Sequence, residues 1–333
     1  MELPPDTDIA YASCTEPGHA VLESLLEAGA PVTEIVTITP AMADRHGVVK
    51  YADFDALAAE YGIPIYHPET YAMTDADREH FAQFDGDLLV VNGWQRLVPG
   101  EVLETFTHGA LGNHGSAMGL PKGRGRSPLN WSLIQGYDRF LLSVIRLEPG
   151  VDDGAVVTTR KFDLTVHDTI ETLYYKVAVL LKEMLPEAID AVVNGAEFEE
   201  QPGEPTYYPK RTPDDGDIHW GDSTRDIYNL VRAVTDPYPG AFTFDGDTRI
   251  DVWEVVPFSA DLAWEATPGR VLDVFWTGDF AVATADGSVL VTDWETAEEW
   301  TPEPGIELDS PGENGRVDGY EQRHNLTSGG DGA

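Results

Sequence analysis

Residues suited to acid–base chemistry and anion binding are concentrated in one glycine-rich segment, residues 109–131 (GALGNHGSAMGLPKGRGRSPLNW). The segment contains His114 and Ser116, followed by three cations, Lys122, Arg124 and Arg126. Glycines let a backbone approach a ligand closely, and histidine changes its charge near neutral pH. The segment therefore predicts a site with acid–base chemistry, the alternative being a structural histidine beside solvated cations.

Two carboxylates in the following loop are candidate partners for this histidine. Asp152 and Asp153 come after the apolar run 140–147, which predicts a central strand. A carboxylate beside an imidazole orients the ring or stabilises its charged form. Ligands bind at the carboxyl ends of strands in α/β sheets, so His114, at the end of a predicted strand, is well placed for catalysis.

The elements that position these residues are predicted to be alternating strands and helices. Apolar runs at 8–14 and 32–38 predict buried strands, and a 3.6-residue apolar period from Asp168 predicts a long helix. Asp168 and Glu171 have the spacing of a capping box at the start of that helix. The alternation predicts an α/β fold with a Rossmann-like, mostly parallel sheet and helices on both faces, which we place at residues 7–200.

The second half of the chain has a different composition. Residues 201–218 are rich in proline, glycine and charge and predict an interdomain linker. Beyond it, short and regularly spaced β segments predict a small β-rich, OB-like barrel at residues 219–308. Residues 309–333 are polar and glycine-rich, which predicts a disordered tail.

Composition restricts the partners of the protein. Its 333 residues include 59 acidic and 21 basic side chains, for a formal net charge of -38. This balance indicates a halophilic acidic protein, and it disfavours nucleic acid and anionic membranes. With no basic leader segment and no apolar run of about 18 residues, we expect a cytoplasmic location without a membrane span. The single cysteine, Cys14, and the scattered histidines predict no metal site.

Several motifs of the chain match one known family. The steps His114-Gly115-Ser116, Leu120-Pro121-Lys122, Arg124-Gly125 and Pro128 are similar to those of the formyltransferase family that uses 10-formyltetrahydrofolate. Residues 150–154 (GVDDG) resemble that family's aspartate loop, with Asp152 at the position of its aspartate and Gly154 at the following glycine. Residues 207–220 and 231–241 resemble the linker and barrel of the methionyl-tRNA formyltransferase-like members.

The resemblance implies a reaction in which an amine attacks the formyl carbon of 10-formyltetrahydrofolate. It implies that His114 stabilises and protonates the resulting intermediate and that Asp152 orients His114 and helps to deprotonate the amine. Asp153 is the alternative carboxylate. Cofactor-binding residues implied in the same way are Asn92, Gly93, Trp94 and Gly154.

One departure from the family pattern concerns the third catalytic position. The family has an asparagine two residues before the histidine, where this chain has Gly112, and Asn113 directly precedes His114. Neighbouring strand residues point to opposite faces, so Asn113 replaces the missing side chain only if the strand bulges. Loss of one oxyanion donor typically lowers a rate by about 100- to 1,000-fold. Asn113 is the candidate for this catalytic role.

The acceptor is suggested by residues 124–131 (RGRSPLNW), which resemble the branch acting on UDP-linked 4-amino sugars. Formyl transfer to a nucleotide-activated amino sugar is therefore the leading hypothesis. Methionyl-tRNA formyltransferase is an alternative, and so is a catalytically weak relative that binds folate or a sugar nucleotide. The oligomeric state stays open. Candidate substrate-binding residues are Ser116, Arg124, Arg126 and Arg232.

Overall fold

The computed structural model describes residues 7–262 and 266–309. The first half contains β1 (Ile9–Ala12), β2 (Val32–Val36), β3 (Ile65–Tyr66), β4 (Leu88–Val91), β5 (Ala110–Ser116), β6 (Arg124–Gly125), β7 (Arg139–Arg146) and β8 (Val156–Asp163). Seven of these strands form one sheet in the order β3-β2-β1-β4-β5-β7-β8. Strands β1 to β5 are parallel, whereas β7 and β8 are antiparallel to their neighbours. The predicted mostly parallel sheet is confirmed.

Helices cover both faces of this sheet. They are α1 (Glu16–Glu27), α2 (Pro40–His46), α3 (Asp55–Tyr61), α4 (Asp75–Phe84), α5 (Gly100–Leu103), α6 (Pro128–Ile134) and α7 (Ile170–Val193). Alternate side chains of β1 belong to different buried clusters: Ile9 and Tyr11 pack with α1 and α7, and Ala10 and Ala12 pack on the opposite face. Because both faces of a strand are buried, its sequence is continuously apolar.

The long helix α7 begins one residue later than its predicted capping box. Its capping pair is Thr169 and Thr172, so the pairing of Asp168 with Glu171 is wrong. Asp168 is buried, and its Oδ2 accepts hydrogen bonds from Thr165 N and Lys176 Nζ, both at 2.7 Å. Burial opposes ionisation of Asp168, but these hydrogen bonds outweigh it and lower the pKa of the carboxyl.

Replacing this carboxylate should destabilise the fold in a pH-dependent manner. We expect Asp168→Asn to lower the free energy of unfolding by about 2 kcal/mol at neutral pH, because charge-assisted hydrogen bonds are lost. A group with a lowered folded-state pKa stabilises the fold above its unfolded pKa of about 3.9, and this contribution disappears as the pH falls through the folded value. Denaturant titrations from about pH 7 to 3 should show the difference between the two proteins shrinking below about pH 4. A difference that is constant with pH would contradict this account.

The segment between the two halves makes ordered contacts with the glycine-rich segment. Residues 201–218 contain β9 (Tyr207–Tyr208) and a 3-10 helix (Pro213–Gly216). Strand β9 pairs in parallel with β6, with Arg124 opposite Tyr207. This two-stranded pairing brings the predicted linker against residues 109–131.

The second half forms a β domain. It contains α8 (Thr224–Val234), β10 (Ala241–Asp245), β11 (Thr248–Ser259), β12 (Val271–Val274), β13 (Phe280–Ala283) and β14 (Ser288–Thr296). The strands form an antiparallel sheet in the order β10-β11-β14-β13-β12. Residues 305–309 form hydrogen bonds with both edge strands of this sheet. Val271 N on β12 donates to Ile306 O, and Asp309 N donates to Phe244 O on β10, each at 2.8 Å. This segment closes the sheet, in agreement with the predicted barrel.

Some predictions fall outside the described residues. Of the tail predicted at 309–333, Asp309 pairs with Phe244, and residues 310–333 lie outside the described part of the chain. Within 7–262 and 266–309, no helix combines the length and the apolar character needed to cross a membrane. The same residues include no group of three or more histidine, cysteine or acidic side chains arranged to hold a metal ion.

Candidate active site

The catalytic candidates lie where β5 continues past its neighbour β4. Val91, the last residue of β4, pairs with Gly112, so residues 113–116 extend beyond the end of β4. The chain that leaves β4 turns through Gly93 at a φ of 75°. A Cβ on Gly93 would lie 2.1 Å from Thr15 Oγ1, so only glycine fits this turn. The staggered strand ends open a crevice at the carboxyl edge of the sheet.

His114 is buried on β5 and contacts two hydrogen-bond acceptors. Its Nδ1 lies 3.4 Å from Asp152 Oδ2, and its Nε2 lies 2.9 Å from the carbonyl oxygen of Gly123. Because a carbonyl oxygen only accepts, Nε2 is the donor in the second contact. The carbonyl oxygen of Gly123 therefore holds the ring through Nε2, and the structure brings together the histidine and aspartate singled out from the sequence.

The loop after β7 presents Asp152 rather than Asp153 to the histidine. Asp152 has a left-handed φ of 51°, and its Oδ2 accepts a 2.9 Å hydrogen bond from Gly125 N. The carboxylate of Asp153 instead faces Gly150, where an added Cβ would lie 1.9 Å from Asp153 Oδ2. Asp153 Oδ1 is buried without a hydrogen-bond partner among the described residues.

A cavity of about 110 Å³ adjoins this pair. Four residues predicted from the sequence line it, namely Gly93, Trp94, Asn113 and Asp152. His114 is not among its lining residues, and its side chain is 7% exposed against 21% for that of Asp152. Asp152 is therefore the member of the pair that reaches the cavity. His114 contacts Asp152 without lining the cavity itself.

An apolar side chain occupies the space beside Gly112. A Cβ at position 112 would lie 2.6 Å from Leu147 Cδ2, so an asparagine there would have to displace Leu147. Strand β5 keeps a continuous register with β7 from Leu111 to Ser116, so no bulge turns Asn113 toward the face of His114. The cavity wall at position 112 is thus apolar, and the half-buried Asn113 supplies a polar group beside it.

Trp94, one of the lining residues of this cavity, carries an unpaired hydrogen-bond donor. The side chain is 9% exposed, and its buried Nε1 has no acceptor in the part of the chain that the structure describes. Its ring packs edge-on against Tyr71, with the centroids 5.1 Å apart. A buried unpaired donor costs about 1–3 kcal/mol, which a ligand acceptor would recover.

The backbone beside Trp94 is held by two buried side chains. Gln95 N donates to Tyr71 Oη at 3.1 Å, and Cys14 Sγ donates to Gly93 O at 3.2 Å. Burial raises the pKa of Cys14 to about 11, so this thiol keeps its proton near neutral pH. These contacts fix the loop that lines the cavity.

Two arginines form a positive pair at the site, without a carboxylate in ion-pair contact among the described residues. Arg96 lines the cavity, and the half-buried Arg126 lies close to it. Burial lowers the pKa of Arg126 and the charge of Arg96 lowers it further, while the charge of Asp152 acts in the opposite direction. Among the described residues, no carboxylate oxygen lies within 4.0 Å of either guanidinium. Adjacent guanidiniums without a carboxylate in direct contact favour a bound anion. Sequence reasoning missed Arg96, although a cation three residues after Gly93 in so acidic a chain is a usable signal.

Three predicted residues have internal contacts instead of lining the cavity. Asn92 Nδ2 donates to Tyr11 Oη at 2.9 Å in the core. Ser116 Oγ donates to Lys122 O at 2.5 Å, which holds the loop after β5. At Gly154 an added Cβ would lie 1.9 Å from a backbone carbonyl oxygen, so this glycine permits a close turn.

Two predicted substrate cations are also buried in internal contacts. Arg124 donates to Gln201 Oε1 through Nε and Nη2, at 3.2 and 2.8 Å. Arg232 donates to Asn229 Oδ1 at 2.7 Å and to the carbonyl oxygen of Thr165 at 2.8 Å. The structure does not bring Arg232 into hydrogen-bond contact with the histidine–aspartate pair. Arg232 instead connects the two halves of the chain through its bond to Thr165.

A mostly parallel sheet with a buried histidine–aspartate pair at its carboxyl edge, followed by a closed β domain, defines a two-domain α/β protein with a candidate acid–base site. Comparison with family models agrees with the resemblance seen in the sequence. The model described as formyl transferase matches residues 15–189, and that described as formyl transferase, C-terminal domain, matches residues 210–301. The chain belongs to the formyl transferase family.

Solved structures share the fold at low sequence identity. HypX from Aquifex aeolicus in complex with tetrahydrofolic acid is 19% identical with a TM-score of 0.60, and the match covers 88% of this chain but only 44% of HypX. An N-formyltransferase from Helicobacter canadensis, in complex with folinic acid and dTDP-3-aminofucose, is 14% identical with a TM-score of 0.65, covering 86% and 99%. Methionyl-tRNA formyltransferase from Clostridium thermocellum is 19% identical with a TM-score of 0.55, covering 88% and 100%.

Proposed function

We propose that the protein transfers a formyl group from 10-formyltetrahydrofolate to the amine of a nucleotide-linked amino sugar. The observation that carries this proposal is the pair of neighbouring guanidiniums, Arg96 and Arg126, next to a cavity that Asp152 reaches. Guanidinium groups bind phosphate oxygens through parallel hydrogen bonds. A small acceptor bearing a diphosphate fits this charge, and a net charge of -38 disfavours a polyanionic RNA.

The residues of the cavity fit the folate cofactor. The buried and unpaired Trp94 Nε1 is a donor for a polar heterocycle, and the turn at Gly93 lets backbone groups approach it. We assign Gly93, Trp94 and Asn113 to holding the cofactor, which when bound supplies the formyl carbon as an electrophile. The neighbours that bind tetrahydrofolic acid and folinic acid support this assignment.

Asp152 takes the acid–base role nearest the acceptor. Its carboxylate reaches the cavity, so it accepts the proton that the attacking amine loses, directly or through a water molecule. The amide of Gly125 fixes Oδ2 of this carboxylate. His114 lies behind Asp152, and its imidazole stabilises the ionised carboxylate or receives the proton from it.

The proposed reaction is tested by product mass. The protein is incubated with 10-formyltetrahydrofolate and UDP- or dTDP-linked amino sugars, at low and high KCl because salt screens repulsion between surface carboxylates. We expect one acceptor to gain the mass of one formyl group. No gain with any sugar nucleotide, together with formylation of methionyl-tRNA, would replace this proposal by the tRNA alternative.

The apolar wall at Gly112 supports a second candidate function, a relative that binds folate or a sugar nucleotide without efficient turnover. Leu147 fills the space beside Gly112, where the family has the side chain of an asparagine to which the resemblance gives a catalytic role. Calorimetry separates the two functions, because binding of both ligands without product is the signature of the second. A turnover of several per second in the formyl-transfer assay would exclude it.

Removing the indole donor should weaken cofactor binding. We expect Trp94→Phe to raise the Kd for 10-formyltetrahydrofolate about 10-fold, because one buried hydrogen bond is lost while the aromatic ring remains. Trp131→Phe is the matched control, since the Trp131 indole donates to Pro209 O at 3.4 Å and does not line the cavity. Calorimetric titration measures both values. Equal Kd values for the two variants would show that the Trp94 donor does not bind the cofactor.

A further inference from the structure

We infer that Gln201 and Arg124 are positioning residues that hold Asp152 in its working conformation. The inference rests on the proposed function, because it concerns the carboxylate to which that function assigns proton transfer. Gln201 lies in the interdomain segment, and Arg124 lies on β6. Both residues act through hydrogen bonds to other groups of this chain rather than on a substrate.

The amide of Gln201 uses its full hydrogen-bonding capacity. Its Oε1 accepts two bonds from the Arg124 guanidinium, from Nε at 3.2 Å and from Nη2 at 2.8 Å. Its Nε2 donates to the carbonyl oxygens of Asp152 and Gly154, at 2.8 and 2.7 Å. One side chain thus bonds both ends of the turn that carries the carboxylate.

The orientation of this amide follows from the donor character of arginine. A guanidinium has five N–H donors and no acceptor, so the oxygen of Gln201 must face Arg124 and its NH₂ group must face the loop. Arg124 is 8% exposed, and within the described residues its side chain pairs with this neutral amide rather than with a carboxylate. The adjacent cation polarises the amide and strengthens its two N–H donors.

The loop needs such support because its conformation is strained. Asp152 has a φ of 51°, and a left-handed conformation costs a non-glycine residue about 1–2 kcal/mol. Gly125 N fixes the carboxylate itself, while Gln201 fixes the backbone on which the carboxylate stands. Without the amide donors, Asp152 loses the restraint that keeps Oδ2 beside His114.

Gln201→Glu separates positioning from folding. A glutamate keeps the size of the side chain and forms an ion pair with Arg124, but it cannot donate to the two carbonyl oxygens. We expect kcat to fall about 30-fold with KM changed less than about 3-fold, because misplacement of a catalytic group lowers the rate more than binding. Gln201→Asn, which keeps the amide, should recover part of the rate. Gln135→Glu is the control, because Gln135 accepts from Tyr208 Oη and does not contact the loop.

A second readout does not depend on activity. The ¹⁵N resonances of the His114 ring report the contact with Asp152, and they should move in Gln201→Glu in the direction seen for Asp152→Asn, while Gln135→Glu leaves them in place. Wild-type His114 resonances in Gln201→Glu, together with wild-type kcat, would overturn the inference. Absence of formyl transfer by the wild-type protein would refute the proposed function instead, and the resonances would still decide whether Gln201 positions Asp152.

Discussion

Asp152→Asn is expected to lower kcat for formyl transfer by about 1,000-fold, with a much smaller change in KM. The amide keeps the shape of the side chain but cannot accept the proton of the attacking amine, and general base catalysis contributes about 100- to 10,000-fold. Asp152 is the member of the histidine–aspartate pair that reaches the cavity. Steady-state kinetics with the sugar nucleotide found in the mass assay measure the effect.

Asp153→Asn is the matched control for this prediction. Asp153 is the neighbouring residue in the same loop, and its carboxylate faces Gly150 instead of His114. We expect this variant to keep kcat within about 10-fold of the wild-type value. A larger loss for Asp153→Asn than for Asp152→Asn would exchange the roles of the two carboxylates.

Arg126→Met is expected to raise KM for the nucleotide-linked sugar by about 100-fold while kcat changes little. The methionine retains an unbranched apolar side chain, but the charge-assisted hydrogen bonds to phosphate are lost, each worth about 1.5–3 kcal/mol. Contacts to a phosphate that takes no part in bond making contribute equally to the ground state and the transition state.

Lys122→Met distinguishes a specific contact from a general loss of charge. Lys122 lies in the same loop, and its replacement changes the net charge by the same amount as that of Arg126. We expect KM to rise less than about 3-fold in this variant, because the long-range attraction of a charge without a direct contact is screened by salt. Equal increases for the two variants would assign the effect of Arg126 to long-range attraction.

The alternation of apolar strands and helices was sufficient to predict the sheet, because burial on both faces leaves a continuous apolar run such as β1. The positions of His114 and the two aspartates after predicted strands suggested a histidine–carboxylate pair, and the motif resemblance favoured Asp152. The fold brings the side chains of His114 and Asp152 to 3.4 Å. Composition alone did not choose between Asp152 and Asp153, because both are acidic residues of one turn. Their difference arises from backbone geometry, the φ of 51° at Asp152.

Features formed by tertiary contacts were not predictable. The composition of residues 201–218 is that of a linker, and nothing local indicates that Gln201 bonds the Asp152 loop or that β9 pairs with β6. The start of α7 shifted by one residue because Asp168 is engaged by Lys176 and Thr165, which leaves capping to Thr169. The sequence predicts Arg124 to be an accessible cation that binds substrate. Only the structure shows that its side chain is buried and donates to Gln201.

Closure of the C-terminal sheet by residues 305–309 has a consequence for how far the chain can be shortened. Strands β10 and β12 are the two edges of that sheet, and both are capped by hydrogen bonds from this last described stretch. A chain ending before Gly305 would leave the backbone groups of Phe244 and Val271 that this stretch pairs without their partners, and unpaired groups on a sheet edge are templates for pairing between molecules. In so acidic a protein, surface repulsion opposes such association at low salt and is screened at high salt. Shortened chains should therefore remain dispersed in dilute buffer and self-associate as salt is added.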